Sequence, residues 1–339
     1  MPCSIAPRAR TAARSSPRAG LAVSGEFELI ERYFTGRGAQ RKDVLAGVGD
    51  DGALVAPTPG AALVLALDTL VDAVHFPAGF DARFVGHRAL AVNLSDLAAM
   101  GAEPDWALLG LTLPAVDEHW LAGFSAGFDA LARRHGVALV GGDTTRGPLT
   151  VSVTLAGAVP ADQALRRGGA RPGDDLWVSG TPGDAAAGLA ILQGRLNAQG
   201  RAREALLARL QLPQARVALG VALRGIATAC IDLSDGLLGD LGKLCAASGA
   251  GADIASRELP LSAGLCSVAP PGERLRYALG GGDDYELLFS ANPAERAKLA
   301  ALDAGVVLRR IGVVTEAPGV LVDGAPPGRD AGHGFDHFG

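Results

Sequence analysis

The sequence contains very little of several residue types that mark common classes of protein. Only three of its 339 residues are lysine, and no apolar run approaches the ~20 residues that a membrane-spanning helix needs. The formal net charge is −5, and beyond the first 24 residues 36 acidic residues outnumber 27 basic ones, a balance that does not favour nucleic-acid binding. We therefore expect neither a membrane partner nor a nucleic-acid partner.

Cysteine is also scarce, and its spacing excludes several kinds of site. No Cys-x-x-Cys pair and no zinc-finger spacing occurs among Cys3, Cys230, Cys245 and Cys266. Isolated cysteines of this kind are typical of free thiols in a reducing compartment. We therefore expect a cytoplasmic protein.

The first 24 residues differ in composition from the rest of the chain. They contain four arginines and no acid, and they lack the hydrophobic core of a signal peptide. This composition resembles a transit peptide, but a disordered tail or a start codon assigned too early would also explain it. Because the remaining length suffices for two domains, we expect a disordered arm over 1–24, an N-terminal domain over 25–160 and a C-terminal domain over 161–339.

Apolar periodicity predicts that strands and helices alternate in both halves of the chain, which indicates an α/β or α+β fold. Helices are predicted over 25–34, 89–101, 117–135, 184–192 and 237–247. Strands are predicted over 63–67, 104–113, 137–140, 149–155 and 175–179.

The helix predicted over 89–101 contains one charged residue, Asp96, among small and apolar side chains. A buried carboxylate without a partner costs several kcal/mol, so Asp96 should meet a cation, a hydrogen-bond donor or a metal ion. The alternative is that Asp96 caps a neighbouring helix.

Other isolated acids lie in similar glycine-rich settings: Asp50, Asp51, Asp68, Asp143, Asp232, Asp235, Asp283 and Asp284. Each of them taken alone could cap a helix or lie in a turn. Taken together, they predict one convergent acidic site that binds several Mg²⁺ ions, because carboxylate oxygens are the ligands that Mg²⁺ prefers. The letters of a dinucleotide-binding fingerprint also occur over 47–52, but two aspartates inside that turn would repel a pyrophosphate.

The chain lacks a G-x-x-x-x-G-K-[ST] loop and the His-Arg-Asp and Asp-Phe-Gly motifs of protein kinases. Any phosphate chemistry should therefore depend on acids that hold Mg²⁺. Phosphoryl transfer requires mainly in-line positioning and charge neutralisation, so such a site would suffice. Gly141 and Gly142 would let the backbone approach a phosphate closely, and Arg146 could neutralise charge.

Six motifs, in this order and spacing, together resemble the thiamine-monophosphate kinase family. They are Gly49-Asp50-Asp51, Asp68-Thr69-Leu70-Val71, Asn93-Leu94-Ser95-Asp96-Leu97-Ala98-Ala99-Met100-Gly101, Gly141-Gly142-Asp143-Thr144-Thr145-Arg146-Gly147, Asp232-Leu233-Ser234-Asp235-Gly236-Leu237 and Gly282-Asp283-Asp284-Tyr285-Glu286-Leu287. The resemblance implies the two-domain fold of aminoimidazole-ribonucleotide synthetase and a homodimer whose N-terminal domains pair through a β-barrel. It also implies that ATP and thiamine monophosphate are converted to ADP and thiamine diphosphate.

The resemblance also implies roles for individual residues. The positions that match Mg²⁺ ligands are Asp51, Asp68, Asp96, Asp143, Asp232 and Asp235. Those that match ATP contacts are Gly142, Asp143, Arg167 and Ser234, and those that match substrate contacts are His75, Asp283 and Phe335.

The sequence departs from the family pattern in two places. Ala66 and Leu67 stand where a hydroxyl pair often precedes Asp68, so any metal ligation there must use backbone carbonyls. Asp283 replaces a common glutamate and is one methylene shorter.

Two alternatives stay open from the sequence. The chain could be another ATP-using enzyme of the same superfamily, such as an amidine-forming ligase or a selenophosphate synthetase. A selenophosphate synthetase needs a reactive cysteine before the first acidic motif, where only Cys3 occurs. The other alternative is a non-catalytic protein that binds Mg-nucleotide and senses thiamine phosphates.

Overall fold

The computed structural model describes residues 25–328, so Phe335 and the predicted arm lie outside the described residues. The first half of this region contains two long helices that pack against each other and a four-stranded sheet. Its elements are α1 (Glu26–Tyr33), β1 (Val44–Ala46), β2 (Leu54–Val55), β3 (Ala61–Val71), α2 (Ala82–Ala99), β4 (Glu103–Leu113), α3 (Glu118–His135), β5 (Ala138–Arg146) and β6 (Thr150–Pro160).

Four strands of the first half form one sheet in the order β3-β6-β4-β5. The strands pair in antiparallel fashion except for β4 and β5, which are parallel. β3 is longer than the predicted strand, so Asp68 lies inside it, opposite Val153 of β6, rather than at its end. One face of β3 is packed, whereas the opposite face exposes Leu63, Leu65 and Leu67.

The second half contains β7 (Asp175–Ser179), α4 (Asp184–Leu192), α5 (Gly200–Gln211), α6 (Val217–Ala222), β8 (Ala227–Asp232), α7 (Leu237–Ser248), β9 (Gly251–Ile254), α8 (Ala263–Val268), α9 (Pro271–Gly280), β10 (Leu287–Ala291), α10 (Arg296–Ala301), β11 (Leu308–Thr315) and β12 (Gly319–Val322). Its strands form a second sheet in the order β12-β9-β11-β7-β10-β8. Only the β12 and β9 pair of this sheet is parallel. The predicted mixture of helices and strands in both halves is confirmed.

Helix α2 is apolar on nearly all sides and is therefore buried. It begins after Asp81, whose carboxylate accepts a hydrogen bond from the Arg83 amide at 2.8 Å. It packs closely against α3, because a Cβ at Gly86 would lie 2.0 Å from the Phe124 carbonyl oxygen. α2 also contacts β3 and β6 of the first sheet and β8 of the second. The helix that carries Asp96 thus lies between the two sheets.

The largest hydrophobic cluster extends across both halves of the chain. It joins Leu90 and Leu94 of α2 to Cys230, Leu287 and Phe289 of the second sheet. A boundary near residue 160 accordingly stays a prediction, as do the limits of the two domains. Within residues 25–328, no helix combines the length and apolarity needed to cross a membrane.

Candidate active site

A cavity of about 850 Å³ lies where α2 and β3 face the second half of the chain. It collects eight of the residues predicted from sequence: Asp68, His75, Asp96, Arg167, Asp232, Ser234, Asp235 and Asp283. Apolar side chains also line it, among them Phe76, Phe80 and Leu210. The cavity thus combines a charged part and an apolar part.

Asp68 and Asp96 lie close enough for their carboxyl groups to share a hydrogen bond. Burial, followed by the nearby charges of Asp232 and Asp68, raises the pKa of Asp96 to about 8. Burial also raises the pKa of Asp68, while the hydrogen bond with Asp96 lowers it. The pair therefore retains one proton near neutral pH when no cation is present.

Asp232 is the last residue of β8, and only 4% of it is exposed. The Ser95 hydroxyl of α2 donates a hydrogen bond of 2.7 Å to its Oδ2. Burial raises the pKa of Asp232 to about 6, in opposition to the bond from Ser95. Arg167, at the same cavity, acts in the opposite direction to burial on both Asp96 and Asp232. A carboxylate cluster is thus built between the two halves.

The chemistry of this donor set fits Mg²⁺. Within residues 25–328, no three His, Cys, Asp or Glu side chains already surround a common point as metal ligands. Mg²⁺ commonly takes only one or two carboxylates and completes its shell with water and phosphate oxygens. Burial and neighbouring acids hold the pKa values of Asp96 and Asp232 above their usual range, and the charge of Arg167 only partly offsets this, so a divalent cation would favour the ionised carboxylates.

The loop that follows β8 is held by a residue of the next helix. Oδ2 of Asp240 accepts hydrogen bonds from the backbone amides of Ser234, Asp235 and Gly236 at 3.0, 3.0 and 3.2 Å. Lys243 donates to Oδ1 of Asp240 at 2.8 Å and also pairs with Asp235. Asp240 therefore satisfies the amides at the start of α7, so neither Asp232 nor Asp235 is needed as its cap.

His75 lies in the loop after β3. Its Nδ1 accepts a hydrogen bond of 2.9 Å from the Val71 amide. Since an amide can only donate, Nδ1 is unprotonated and the ring of a neutral His75 carries its proton on Nε2. This tautomer makes His75 a hydrogen-bond donor at Nε2 rather than a base.

The Asp283-to-Glu286 motif divides its acids between the cavity and the core. Asp284 is buried and accepts amide hydrogen bonds from Gly183 at 2.6 Å and Ala185 at 3.3 Å, at the start of α4. Burial raises its pKa well above the usual value, and the Gly183 amide opposes that shift. Asp284 was grouped with the convergent acids from sequence, and the structure instead places it at a helix terminus.

Glu286 is fully buried and bonded to three side chains. Ser179 donates to its Oε2 at 2.5 Å, while Arg209 and Arg216 each bond to it at 2.5 to 2.6 Å. Burial would raise the pKa of Glu286, but the bonds and charges of Arg216 and Arg209 outweigh it and lower the pKa below its usual value. Glu286 therefore fastens the α5 to α6 region to the second sheet.

Three of the described residues to which the family resemblance assigns roles do not line the cavity. Asp51 is exposed, and its amide donates to the Asp50 side chain at 2.9 Å. Asp143 is exposed in β5. It lies opposite Gly110 of β4, which lies opposite Ser152 of β6, which in turn lies opposite Thr69 of β3, so these four residues share one face of the sheet. Asp68 is adjacent to Thr69 and therefore faces the opposite side.

Gly142, the third of these residues, fits closely against β4. Its φ of +155° is compatible with glycine, and a Cβ would lie 1.9 Å from the Leu109 carbonyl oxygen. A side chain at this position would therefore disrupt the sheet. Phe335, which the resemblance assigns to the substrate, lies outside the described residues.

Two cations that line the cavity, Arg88 and Lys243, are absent from the set predicted from sequence. Arg88, Val92 and Asp96 line it from successive turns of α2. Their spacing of four residues was a usable signal, since residues so spaced share a helix face. Lys243 also has a local signal, since Asp240 lies three residues before it on α7, whereas its pairing with Asp235 depends on the loop after β8.

Comparison with known families assigns both halves of the chain. Residues 49–159 match the family described as AIR synthase related protein, N-terminal domain. Residues 171–324 match the AIR synthase related protein, C-terminal domain.

Individual relatives are similar over nearly their whole length. Thiamine-monophosphate kinase of Salmonella typhimurium is 46% identical over 320 residues, which cover 93% of this chain and 98% of that protein. The crystal structure of thiamine-monophosphate kinase from Stenotrophomonas maltophilia K279a matches with a TM-score of 0.82 at 47% identity, over 85% of this chain and 93% of that one.

A second solved structure, AaThiL complexed with AMPPCP and TMP, matches with a TM-score of 0.75 and 34% identity. The match covers 86% of this chain and 92% of that one. Together with the matches to both halves, these similarities show that the chain belongs to the thiamine-monophosphate kinase family of AIR synthase related proteins.

Proposed function

We propose that this chain transfers the terminal phosphoryl group of ATP to thiamine monophosphate, which gives thiamine diphosphate and ADP. Membership of the family supports this activity, as does the AaThiL complex with TMP and AMPPCP, an analogue of ATP. The observation that carries the proposal is the convergence of Asp68, Asp96 and Asp232 at a cavity that also has an apolar lining. Such a cavity suits two phosphates at one end and an organic ring system at the other.

Asp68, Asp96 and Asp232 would hold Mg²⁺, with Asp235 as a further ligand once Lys243 releases it. When bound, Mg²⁺ neutralises phosphate charge and stabilises the charge that develops during phosphoryl transfer. The number of ions is not part of the proposal. Asp51 would serve as a ligand only if a movement of the loop between β1 and β2, or a second copy of the chain, brought it to the cavity. Asp143 would likewise need a second copy of the chain.

Hydrogen-bond donors that line the cavity would orient the two polyanions. We assign Arg167 and Ser234 to ATP and His75 to the substrate, as donors of hydrogen bonds. The acceptor oxygen belongs to a phosphate monoester, whose second pKa near ~6 leaves it ionised at neutral pH, so no general base is required. A new P–O bond forms to that oxygen while the bond to the β-phosphate of ATP breaks. Transfer is direct, without a phosphoenzyme.

The test is incubation of the purified protein with Mg-ATP and thiamine monophosphate, followed by chromatographic separation of the products. We expect thiamine diphosphate and ADP in equal amounts. Binding of both substrates without turnover would replace this proposal by a sensor of thiamine phosphates. ATP hydrolysis without thiamine diphosphate would indicate another enzyme of the superfamily.

We also propose that two copies pair through the outer face of the first sheet, which would form the β-barrel that the family resemblance implies. The outward side chains Leu63, Leu65 and Leu67 are 46%, 69% and 63% exposed, on a strand at the edge of its sheet. An apolar row at a free edge is unfavourable in water and is typical of interaction surfaces. Asp143 lies on this same face, so pairing would bring it to the region between the copies.

Light scattering on the intact protein tests the pairing. The expected mass is that of a dimer, and Leu65→Asp should shift it towards the monomer, because a charge would be buried in the apolar row. Val307→Asp, at a position 65% exposed outside this sheet, is the matched control and should leave the mass unchanged. A monomeric wild-type protein, or a dimeric Leu65→Asp variant, would contradict the proposal.

A further inference from the structure

Arg88 is a buried cation among the mostly apolar side chains of α2. Only 2% of the residue is exposed. Its guanidinium pairs with Asp283 and lies 5.6 Å from the centre of the Tyr285 ring. Nη1 also donates to the Leu210 carbonyl at 3.3 Å. Arg88 therefore connects a helix of the first half to the acidic loop of the second half, at the wall of the cavity.

The two oxygens of the Asp283 carboxylate have different surroundings. Oδ1 accepts hydrogen bonds from Arg88 and from the Tyr285 hydroxyl, the latter at 3.2 Å. Oδ2 makes no hydrogen bond within residues 25–328, and 31% of the side chain remains exposed. One oxygen is thus held by the protein while the other is available to a ligand in the cavity.

The backbone fixes the same side chain from the opposite direction. Asp283 and Tyr285 have φ values of +70° and +51°, a left-handed conformation that is uncommon for residues other than glycine. Their amides donate to the carbonyls of Ser234 and Leu233 at 2.9 and 2.8 Å. Backbone strain of this kind persists only where surrounding contacts impose it, and it is common at binding sites.

Arg88 itself has an unsatisfied donor. Its Nε is buried without a hydrogen-bond partner in the described part of the chain. A buried donor without a partner costs about 1 to 3 kcal/mol, so the position of this arginine is not explained by stability alone.

We propose that Arg88 is a positioning residue that holds Asp283 with Oδ2 directed towards an N–H donor of the substrate. Since this inference rests on the proposed function, the donor would be the amino group of the aminopyrimidine ring of thiamine monophosphate. A carboxylate with one oxygen fixed and one oxygen free presents a single acceptor in a defined direction. Arg88 extends from α2 and holds Oδ1 of Asp283, which fixes the direction of Oδ2. Asp283 is one methylene shorter than the common glutamate, so its position depends on this contact.

The experiment compares Arg88→Gln, Arg88→Lys, Asp283→Asn and the double variant Arg88→Gln/Asp283→Asn with wild type. Arg88→Gln should raise KM for thiamine monophosphate about 10-fold, the usual effect of losing a hydrogen bond that involves a charge, with kcat and KM for ATP within about twofold. Arg88→Lys should restore part of the loss. The double variant should be no worse than Asp283→Asn, because Arg88 acts through Asp283.

A substrate analogue gives a second readout. Oxythiamine monophosphate carries an oxo group in place of the amino group, so wild type should prefer the amino substrate and Arg88→Gln should lose most of that preference. A merely structural role for Arg88 would lower stability without changing this ratio.

Arg41→Gln is the matched control. Arg41 also pairs with a buried aspartate, Asp105, and lies over an aromatic ring, that of Trp106 at 5.8 Å, but it is remote from this cavity. It should lower the melting temperature and leave both KM values unchanged. If Arg88→Gln fails to fold, Arg88→Lys and the partly exposed Asp283→Asn carry the test.

Two results would overturn the inference. One is an unchanged KM for thiamine monophosphate in Arg88→Gln, and the other is additive losses in the double variant. Failure of the proposed function looks different, since wild-type protein would then not form thiamine diphosphate at all.

Discussion

Two groups of carboxylates come from similar glycine-rich motifs and have different surroundings in the structure. The cavity group consists of Asp68, Asp96 and Asp232, none of which bonds to a cation within residues 25–328. The anchoring group consists of Asp240, Asp284 and Glu286, each of which accepts hydrogen bonds from several protein donors. The cavity group has few protein donors, whereas the anchoring group, which is also the more buried of the two, has several.

Asp96 and Glu286 illustrate the difference. Burial, followed by the charges of its nearest acids, raises the pKa of Asp96 to about 8. Glu286 is more deeply buried, yet its bonds and charges with Arg216 and Arg209 keep its pKa below the usual value. An acid that the protein leaves without donors is therefore a candidate ligand for a cation, whereas an acid already bonded to donors stabilises the fold.

The largest expected effect is on activity, from a change within the cavity group. Asp96→Asn retains the shape of the side chain and removes one charge. We expect turnover to fall by about 100-fold or more, because even residues that only orient metal ligands contribute 10- to 100-fold. Steady-state assays with thiamine monophosphate over a range of Mg²⁺ concentrations measure this loss.

Stability should respond to Asp96→Asn in the opposite direction. Without metal, the variant should melt at the same temperature as wild type or higher, since repulsion among converging carboxylates is relieved. It should also gain less stability from Mg-ATP. Calorimetry with chelator and with Mg-ATP measures both effects. A variant that is destabilised without metal but fully active would remove Asp96 from the site.

The second-largest expected effect is a loss of stability, caused by a change within the anchoring group. Glu286→Gln removes the charge that pairs with Arg209 and Arg216, so we expect the free energy of unfolding to fall by about 3 kcal/mol or more. Urea unfolding measures it. Glu258→Gln, at a partly exposed ion pair with Arg309, is the control and should cost about 1 kcal/mol or less. Equal losses in the two variants would contradict the distinction between the groups.

Much of the fold follows from local patterns that the sequence displays. Helix α3 lies where periodicity predicts it, from its cap at Asp117 to Gly136. Phe124 and Phe128 of this helix are buried in the core. Strand β3 exceeds its prediction at both ends, because pairing with β6 continues through Asp68 to Val71.

The division of the acids was not predictable in the same way, because it depends on distant residues. Glu286 meets arginines 70 and 77 positions away. Asp143 resembles Asp68 in sequence, and only the register of β3, β6, β4 and β5 places the two on opposite faces of the sheet. The motifs therefore identified candidate acids. Which of these acids are bonded to protein donors depends on tertiary contacts that the motifs do not contain.

The smallest effect is a change in how stability depends on pH. The folded-state pKa of Asp96 is about 8, above its ordinary value of 3.8 in the unfolded chain, so folding favours the protonated form. The stability that this proton contributes is complete below the unfolded pKa and is lost as pH rises through the folded pKa. Without metal, the free energy of unfolding should therefore fall as pH increases from about 4 to about 8.

Asp96→Asn should make this fall smaller, chiefly in its upper part, because Asp232, with a pKa of about 6, titrates earlier. Urea unfolding in chelator at about pH 6, 7 and 8 measures the slope for both proteins. Asp117→Asn changes an acid that caps α3 outside the cavity and should leave the slope as it is in wild type. Mg-ATP should also reduce the slope in wild type, because a bound cation replaces the proton. Equal slopes for wild type and Asp96→Asn in chelator would contradict this prediction. They would mean that Asp96 is ionised throughout this pH range and does not share a proton with Asp68.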